Sequence, residues 1–146
     1  MGVEVIIRKM CEQDILAVHE IECSIFSKPW SEKSFRDSYA KVNNVYLVAE
    51  VENNIVAYCG FWGVAGEGQI TNVAVHEGYR RQGIAEKMMS ELIDQGRKQG
   101  IEAFTLEVRV NNQAAIFLYH RLGFKDSGIR KNFYEAPVED ALIMWL

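Results

Sequence analysis

Proline, cysteine and long hydrophobic runs are scarce in this sequence, and it has no excess of positive charge. Its 146 residues include two prolines and three cysteines, with 16 Lys and Arg against 20 Asp and Glu, so the net charge is −4. No apolar run approaches the roughly 20 residues that a membrane-spanning helix requires. This balance excludes collagen-like and disordered chains, and the missing basic excess argues against nucleic-acid binding.

The three cysteines indicate neither a disulfide framework nor a metal site. Cys11, Cys23 and Cys59 are odd in number, form no Cys-x-x-Cys pair and have no histidine at zinc-site spacing. We expect reduced thiols, which are typical of the cytoplasm, and no bound metal. Residues 1–10 lack the hydrophobic region of a signal peptide, which also favours a cytoplasmic location.

Length and composition predict one domain that spans residues 1–146. Hydrophobic residues make up 49% and charged residues 25% of the sequence, as in ordinary globular proteins. A chain of this length buries roughly 68–70% of the surface that its unfolded form exposes, so its core needs no disulfide. The sequence leaves the oligomeric state open.

Hydrophobic periodicity predicts the strands and helices of this domain. Apolar residues three and four positions apart indicate helices, and β-branched runs bounded by turn residues indicate strands. The predicted strands are Val3–Arg8, Val45–Val51, Ile55–Val64, Gln69–Val75 and Ala103–Val108, with parts of closing strands at Phe124–Lys125 and Ala141–Leu146. The predicted helices are Glu12–Ile25, Glu32–Tyr39, Gly83–Gln99 and Asn112–Leu122.

Turn and cap residues refine these elements. Ser31 is the predicted N-cap of the second helix and Asn111 that of the fourth, while the Asn53-Asn54 pair predicts a hairpin turn. The strand–helix–strand pattern over residues 69–108 predicts a parallel βαβ unit. Together these features predict an α+β fold, in which a mixed, mostly antiparallel sheet contains a central βαβ unit and carries helices on both faces.

The loop before the third helix has the features of an anion site. In Tyr79–Ala85, Arg80 and Arg81 precede Gly83, and the first amide groups of a helix have no partners within it and lie at the positive end of its dipole. Small residues let a ligand approach the backbone, so a diphosphate fits such a loop. On the loop alone, an ordinary helix start with two solvated arginines fits equally well.

The wider sequence resembles the GNAT superfamily of N-acetyltransferases. The residues from Arg80 to Ala85 match the Arg/Gln-x-x-Gly-x-Gly/Ala motif that binds acetyl-CoA in that superfamily. Segments before and after this motif also match, and the outer ones are similar to the bacterial ribosomal-protein-alanine N-acetyltransferase branch. The matching segments are Lys28–Ser31, Asn72–Val75, Leu106–Arg109, Asn112–Phe124, Arg130–Tyr134 and Glu139–Met144.

This resemblance implies the GNAT fold and acetyl-CoA as a cosubstrate, without a metal. It implies that one strand pairs its backbone with the pantetheine arm, as an added strand pairs with a sheet edge. It also implies that the loop and the helix start after this strand hold the diphosphate. The implied coenzyme-binding residues are Val73, Ala74, Val75, Arg81, Gln82, Gly83, Ile84, Ala85, Glu86 and Asn112.

The resemblance further implies two catalytic side chains for the attack of an amine on a thioester. Glu107 would accept a proton from the amine, directly or through water, and Tyr119 would donate one to the leaving sulfur. From the residues alone, an ion pair of Glu107 with Arg109 or Lys125 is the simpler interpretation, and Tyr119 has the spacing of a packing residue. Asn112 similarly fits a helix cap.

The remaining candidate residues are histidines and aromatic residues. His19, His76 and His120 are dispersed in the sequence, and we interpret them as structural or exposed residues rather than metal ligands. Trp30 and Tyr134 fit either ordinary packing or the wall of a groove for the acceptor.

The implied function is the transfer of the acetyl group of acetyl-CoA to the N-terminal α-amino group of a protein, in particular the N-terminal alanine of a small-subunit ribosomal protein. Two alternatives stay open: a GNAT enzyme that acetylates a lysine side chain or a small-molecule amine, and a non-catalytic module that binds acetyl-CoA. The expected partner is a protein N-terminus, and neither nucleic acid nor a membrane is expected to bind.

Overall fold

The computed structural model describes residues 4–146, which form seven strands and four α-helices. Short 3-10 turns at Glu12–Asp14 and Glu77–Tyr79 precede the first and third helices. The helices are α1 (Ile15–Ile25), α2 (Glu32–Tyr39), α3 (Ile84–Lys98) and α4 (Gln113–Arg121). The strands are β1 (Ile6–Lys9), β2 (Val45–Val51), β3 (Asn54–Val64), β4 (Glu67–Val75), β5 (Ala103–Arg109), β6 (Lys125–Tyr134) and β7 (Glu139–Trp145).

All the strands belong to one sheet, in the order β1-β2-β3-β4-β5-β7-β6. Neighbouring strands are antiparallel except for β4 and β5, which are parallel and are connected through α3. The predicted βαβ unit and the predicted mixed, mostly antiparallel sheet are therefore confirmed. Within the described residues, no helix is long and apolar enough to cross a membrane.

Helices cover both faces of this sheet. Successive side chains of a strand point to opposite faces, so Leu47 belongs to one buried cluster and Val48 to the other. The Leu47 cluster contains residues of α3 and α4, such as Met88 and Tyr119. The Val48 cluster contains residues of α1 and α2, which confirms the predicted placement of helices.

The predicted element boundaries are confirmed where capping chemistry is strong. α2 spans the predicted residues, and the Ser31 hydroxyl oxygen accepts a hydrogen bond from the Ser34 amide at 3.1 Å. α3 lies within the predicted range and ends before Gly100, whose φ is +94°. Val3, where the first strand was predicted to begin, lies outside the described residues.

Other boundaries differ from the prediction for local reasons. The hairpin turn uses Glu52 and Asn53, at φ 50° and 68°, because Asn54 already pairs with Val51 in the sheet. The N-cap of α4 is Asn112 rather than Asn111, since the Asn112 side chain accepts the Ala115 amide at 3.2 Å. The first predicted helix begins with a 3-10 turn before α1.

The last two strands are longer than the fragments that the sequence predicted. β6 is the edge strand of the sheet, and nine of its ten residues are exposed. Because neither face of β6 packs on the core, its sequence lacks the alternation of apolar and polar residues by which strands are recognised. The turn between β6 and β7 forms part of the candidate site.

Candidate active site

The parallel strands β4 and β5 pair only along a short stretch. Glu67–Gln69 of β4 pairs with Ala103–Thr105 of β5, and within residues 4–146 the two strands do not pair beyond this stretch. Just past this stretch β4 has a bulge, since Ile70 and Asn72 pair with successive residues of β3 and leave Thr71 as the extra residue. Bulges bend a strand and increase its twist, so β4 turns away from β5.

A cavity of about 690 Å³ lies where the two strands have separated. Its lining includes Glu22 of α1 on one face of the sheet and Tyr119 of α4 on the other. The cavity therefore reaches through the plane of the sheet. The other lining residues are Asn112, at the start of α4, and members of four segments: Ile70–Val73, Leu106–Arg109, Ile25–Trp30 at the end of α1 and in the loop after it, and Asn132–Pro137 around the turn after β6.

Glu107 lies on β5 in the wall of this cavity, and its side chain is 15% exposed. Its Oε2 atom is buried and has no hydrogen-bond partner among the described residues. Arg130 approaches this oxygen to 4.0 Å, whereas Arg109 pairs with Glu139 at 3.1 Å. The simpler interpretation, an ion pair with Arg109 or Lys125, is therefore wrong. A buried acceptor without a donor is rare in folded proteins.

Tyr119 lies on α4 in the same cavity and is 7% exposed. Its ring packs on Phe124 at a centroid distance of 5.9 Å, so Tyr119 is a packing residue, as its spacing predicted. Burial raises the pKa of the Tyr119 hydroxyl above its ordinary value, and the neighbouring Tyr134 raises it further. The hydroxyl therefore stays protonated at neutral pH.

Tyr134, at the end of β6, brings the β6–β7 turn into this group. Burial, followed by the charge of Glu107, raises the pKa of its hydroxyl to about 12. Trp30 lines the cavity from the opposite loop and packs against Phe35 and Trp62. Both aromatic residues pack against neighbouring rings and line the cavity, and a role in binding the acceptor stays a prediction.

The start of α3 has an open approach. Gly83 is its N-cap at φ +77°, and no side chain caps the helix. A Cβ atom at this position would meet nothing within 4 Å, so the first amides of α3 lie beside free space. The Arg80 side chain donates to the Val75 carbonyl at 3.1 Å, which fixes the loop to β4.

The other residues implied in coenzyme binding lie on β4, at the start of α3 and at the N-cap of α4. Val73, Ala74 and Val75 pair with β3 on one side of β4, while no strand pairs with them on the β5 side in the described part of the chain. Glu86, in the first turn of α3, forms an ion pair with Arg121 of α4 at 3.0 Å. Asn112 lines the cavity while it caps α4.

Glu22 is a cavity residue that the sequence interpretation did not single out. It is 3% exposed, accepts a hydrogen bond from the Tyr58 hydroxyl, and accepts another from the Trp30 amide at 2.9 Å. Glu22 therefore holds the loop after α1 against the sheet. Its position four residues after the buried Val18 placed it on the inward face of the helix, and this signal could have identified it.

The three histidines have separate partners. His19 contacts Cys23 at 3.4 Å, His76 accepts the Gly78 amide, and His120 contacts Asp126 at 2.7 Å. Across residues 4–146 no group of three His, Cys, Asp or Glu side chains could hold a metal ion.

Comparison with known proteins identifies the family to which this chain belongs. The model of the acetyltransferase (GNAT) family matches residues 15–124. The chain belongs to the GNAT acetyltransferase family. As a member of this family it is an acetyl-CoA-dependent N-acetyltransferase. The unpaired edge of β4 and the open start of α3 in this GNAT chain fit an extended thioester arm and its diphosphate.

Several relatives of this GNAT enzyme share one name, [ribosomal protein bS18]-alanine N-acetyltransferase. The relative from Escherichia coli strain K12 is 37% identical over 91% of this chain and 90% of its own length. The relative from Haemophilus ducreyi is 35% identical over 96% of this chain and 98% of its own length. A crystal structure of the Escherichia coli ribosomal-protein-S18-alanine N-acetyltransferase is 34% identical and covers 98% of this chain and 93% of its own, with a TM-score of 0.91.

Proposed function

We propose that this enzyme acetylates the α-amino group of a protein N-terminus, namely the N-terminal alanine of ribosomal protein bS18. The observation that carries the substrate is the similarity to the bS18-alanine N-acetyltransferases over more than nine tenths of the chain. A cavity lined by residues from both faces of the sheet supports the proposal, because two substrates must meet there. We also propose a cytoplasmic location, where a ribosomal substrate is found, and a single domain over residues 1–146.

In this proposal the chain moves two protons. Acetyl-CoA supplies an acyl group activated as a thioester. Glu107 accepts a proton from the acceptor ammonium group, directly or through water, which frees the lone pair for attack. As the amide C–N bond forms and the C–S bond breaks, Tyr119 donates its hydroxyl proton to the sulfur, and the nitrogen releases its second proton to water. The products are a neutral amide and the free thiol of coenzyme A, and Tyr119 regains a proton from water. The buried Oε2 of Glu107 has no hydrogen-bond donor among the described residues. A bound ammonium group would supply one, which supports the role of Glu107 as the base.

The coenzyme is held mainly by backbone groups in this proposal. The strand residues Val73, Ala74 and Val75 offer their free edge to the pantetheine arm, and Asn112 lies beside it. Amide groups at the start of α3 bind the diphosphate, because four N–H groups there lack helical partners. These cradle residues are Arg81, Gln82, Gly83, Ile84, Ala85 and Glu86.

Replacing Gly83 by alanine is expected to weaken coenzyme A binding about tenfold. An L-residue in the left-handed region costs about 1–2 kcal/mol, and about 1.4 kcal/mol corresponds to a tenfold change in affinity. Gly83 has φ +77°, so relief of this strain would displace the first amides of α3. Isothermal titration calorimetry with coenzyme A measures the change.

Gly128→Ala is the matched control for this measurement. Gly128 lies on β6 without a left-handed φ, and a Cβ there would also meet nothing within 4 Å. The Gly128→Ala variant should bind coenzyme A with the affinity of the wild type. Equal affinity in both variants would show that the start of α3 does not hold the coenzyme.

The acceptor is tested with the purified enzyme, acetyl-CoA and a set of peptides. A peptide with the N-terminal sequence of bS18 should gain one acetyl group by intact-mass analysis. A copy with a blocked N-terminus and an internal lysine should gain none. An α-amine has a pKa near 7.7–8.0, against about 10.4 for lysine, so it is easier to deprotonate. Transfer to the lysine copy but not to the free N-terminus would reject the proposal.

A further inference from the structure

The turn between β6 and β7 forms one wall of the cavity, and together with the strand residues on either side of it, Tyr134 and Glu139, it makes up the acceptor turn. Tyr134, Glu135, Ala136 and Pro137 all line the cavity. The strand ladder holds this turn weakly, because the register of β6 and β7 is interrupted between Arg130 and Tyr134. β6 is also an exposed edge strand. Some other contact must therefore fix the position of this wall.

The guanidinium group of Arg109 contacts four residues of the acceptor turn. Its Nη1 donates to the Pro137 carbonyl at 3.0 Å and to Glu139 Oε1 at 3.1 Å. Its Nη2 donates to the Glu135 carbonyl at 3.0 Å. The guanidinium carbon also lies 4.5 Å from the centre of the Tyr134 ring.

These contacts use properties that are specific to arginine. A planar guanidinium presents several donors in a fixed arrangement and stacks on aromatic rings, whereas a lysine ammonium does neither. Arg109 and Glu139 are both largely buried, with side chains 28% and 13% exposed. Hydrogen bonds with a charged partner are stronger than those between neutral groups.

Arg109 also connects the acceptor turn to the strand that carries Glu107. The two residues are separated by one position on β5, so their side chains leave the strand on the same side. Both side chains act on the Tyr134 hydroxyl: the charge of Glu107 raises its pKa, and the charge of Arg109 lowers it. A shift of Arg109 would therefore move the acceptor wall relative to Glu107.

A second contact of the acceptor turn is weaker. Lys28, in the loop after α1, pairs with Glu135 at 2.6 Å across the mouth of the cavity, but both side chains are about two-thirds exposed. Exposed ion pairs of this kind contribute little to stability. The contacts of Arg109 are therefore the main ones that fix the position of the acceptor turn.

We propose that Arg109 is a positioning residue that holds the acceptor turn in the geometry needed to bind the acceptor peptide. The proposal rests on the proposed function, because it concerns the recognition of that acceptor. Arg109 acts through the turn and touches neither reacting group in this account. Its loss should affect the acceptor far more than acetyl-CoA.

Arg109→Lys and Arg109→Gln test this role. We expect KM for the acceptor peptide to rise about tenfold or more, since hydrogen bonds to a charged group are lost, while KM for acetyl-CoA changes less than about twofold. Lysine should not rescue KM, because charge alone does not restore the contacts. Hydrogen exchange measured by mass spectrometry should be faster in residues 131–140 and unchanged in α3.

Arg36→Gln is the matched control. Arg36 is also an arginine in ion pairs, with Glu12 and Glu32, but it lies on α2 outside the cavity lining. Both KM values and the exchange of residues 131–140 should stay at wild-type levels in this variant. If Arg109→Gln fails to fold, Arg109→Lys and Glu139→Gln apply the same test, since Glu139→Gln removes one partner of the guanidinium.

The outcomes separate this inference from the proposed function. Equal changes in both KM values, or unchanged exchange in residues 131–140, would overturn the role of Arg109. If the wild type acetylates no N-terminal peptide, the proposed function fails. Hydrogen exchange then still decides whether Arg109 holds the acceptor turn, because it needs no acceptor.

Discussion

Replacing Glu107 by glutamine is expected to lower the turnover number by about 10²–10⁴-fold, the usual contribution of a general base. Glutamine keeps the shape of the side chain but takes up no proton from the acceptor amine. Oε2 of Glu107 makes no hydrogen bond within residues 4–146, and its ion pair with the exposed Arg130 is 4.0 Å long. The substitution therefore removes only a weak contact. The affinity for acetyl-CoA should therefore change less than about twofold.

Steady-state kinetics at several pH values measure this effect. The defect should shrink as the pH rises above about 8, where an α-amine loses its proton without help. Glu50→Gln is a matched control, because Glu50 is a similarly buried strand carboxylate that pairs with Arg8, away from the cavity lining. Wild-type turnover in Glu107→Gln at neutral pH would contradict the assignment of the base.

Replacing Tyr119 by phenylalanine is expected to lower the turnover number by about 10²-fold. Because burial keeps its hydroxyl protonated, the residue can donate to the leaving sulfur at neutral pH. The loss should be smaller than for Glu107, since a thiol with a pKa near 8.5 is itself a fair leaving group. Phenylalanine preserves the packing on Phe124, so the melting temperature should stay within a few degrees of the wild type.

The same kinetic assay tests this second substitution. Tyr46→Phe is its control, because Tyr46 is also buried and its hydroxyl accepts a hydrogen bond from Trp62. That variant lacks a buried hydroxyl outside the cavity lining and should retain wild-type turnover. If both variants behave alike, the hydroxyl of Tyr119 does not serve as a proton donor.

The architecture was largely predictable from the sequence because its signals are local. Ser31 caps α2 through the Ser34 amide three residues later, and Gly100 follows α3 in the left-handed conformation. β6 was not predictable as a long strand, because an edge strand exposed on both faces needs no apolar alternation. The cap of α4 was misplaced by one residue, since two asparagines in succession are equally good candidates.

The site was predictable only in part, because its geometry depends on distant contacts. The resemblance pointed to Glu107. That its Oε2 has no hydrogen-bond donor depends on Arg109, which pairs instead with Glu139, thirty residues further along the chain. No local sequence pattern predicts the pairing of Arg109 with Glu139. Thr71 likewise becomes a bulge only through its register against β3.

The separation of β4 from β5 has a consequence for the order of events in catalysis. The cavity between them is lined from both faces of the sheet, so a donor and an acceptor bound on opposite sides of it would not obstruct each other. Under the proposed function, both molecules can be resident together and the acyl group can pass directly between them. Turnover then needs no covalent acyl-protein stage, and initial-velocity plots with both reactants varied should intersect rather than run parallel.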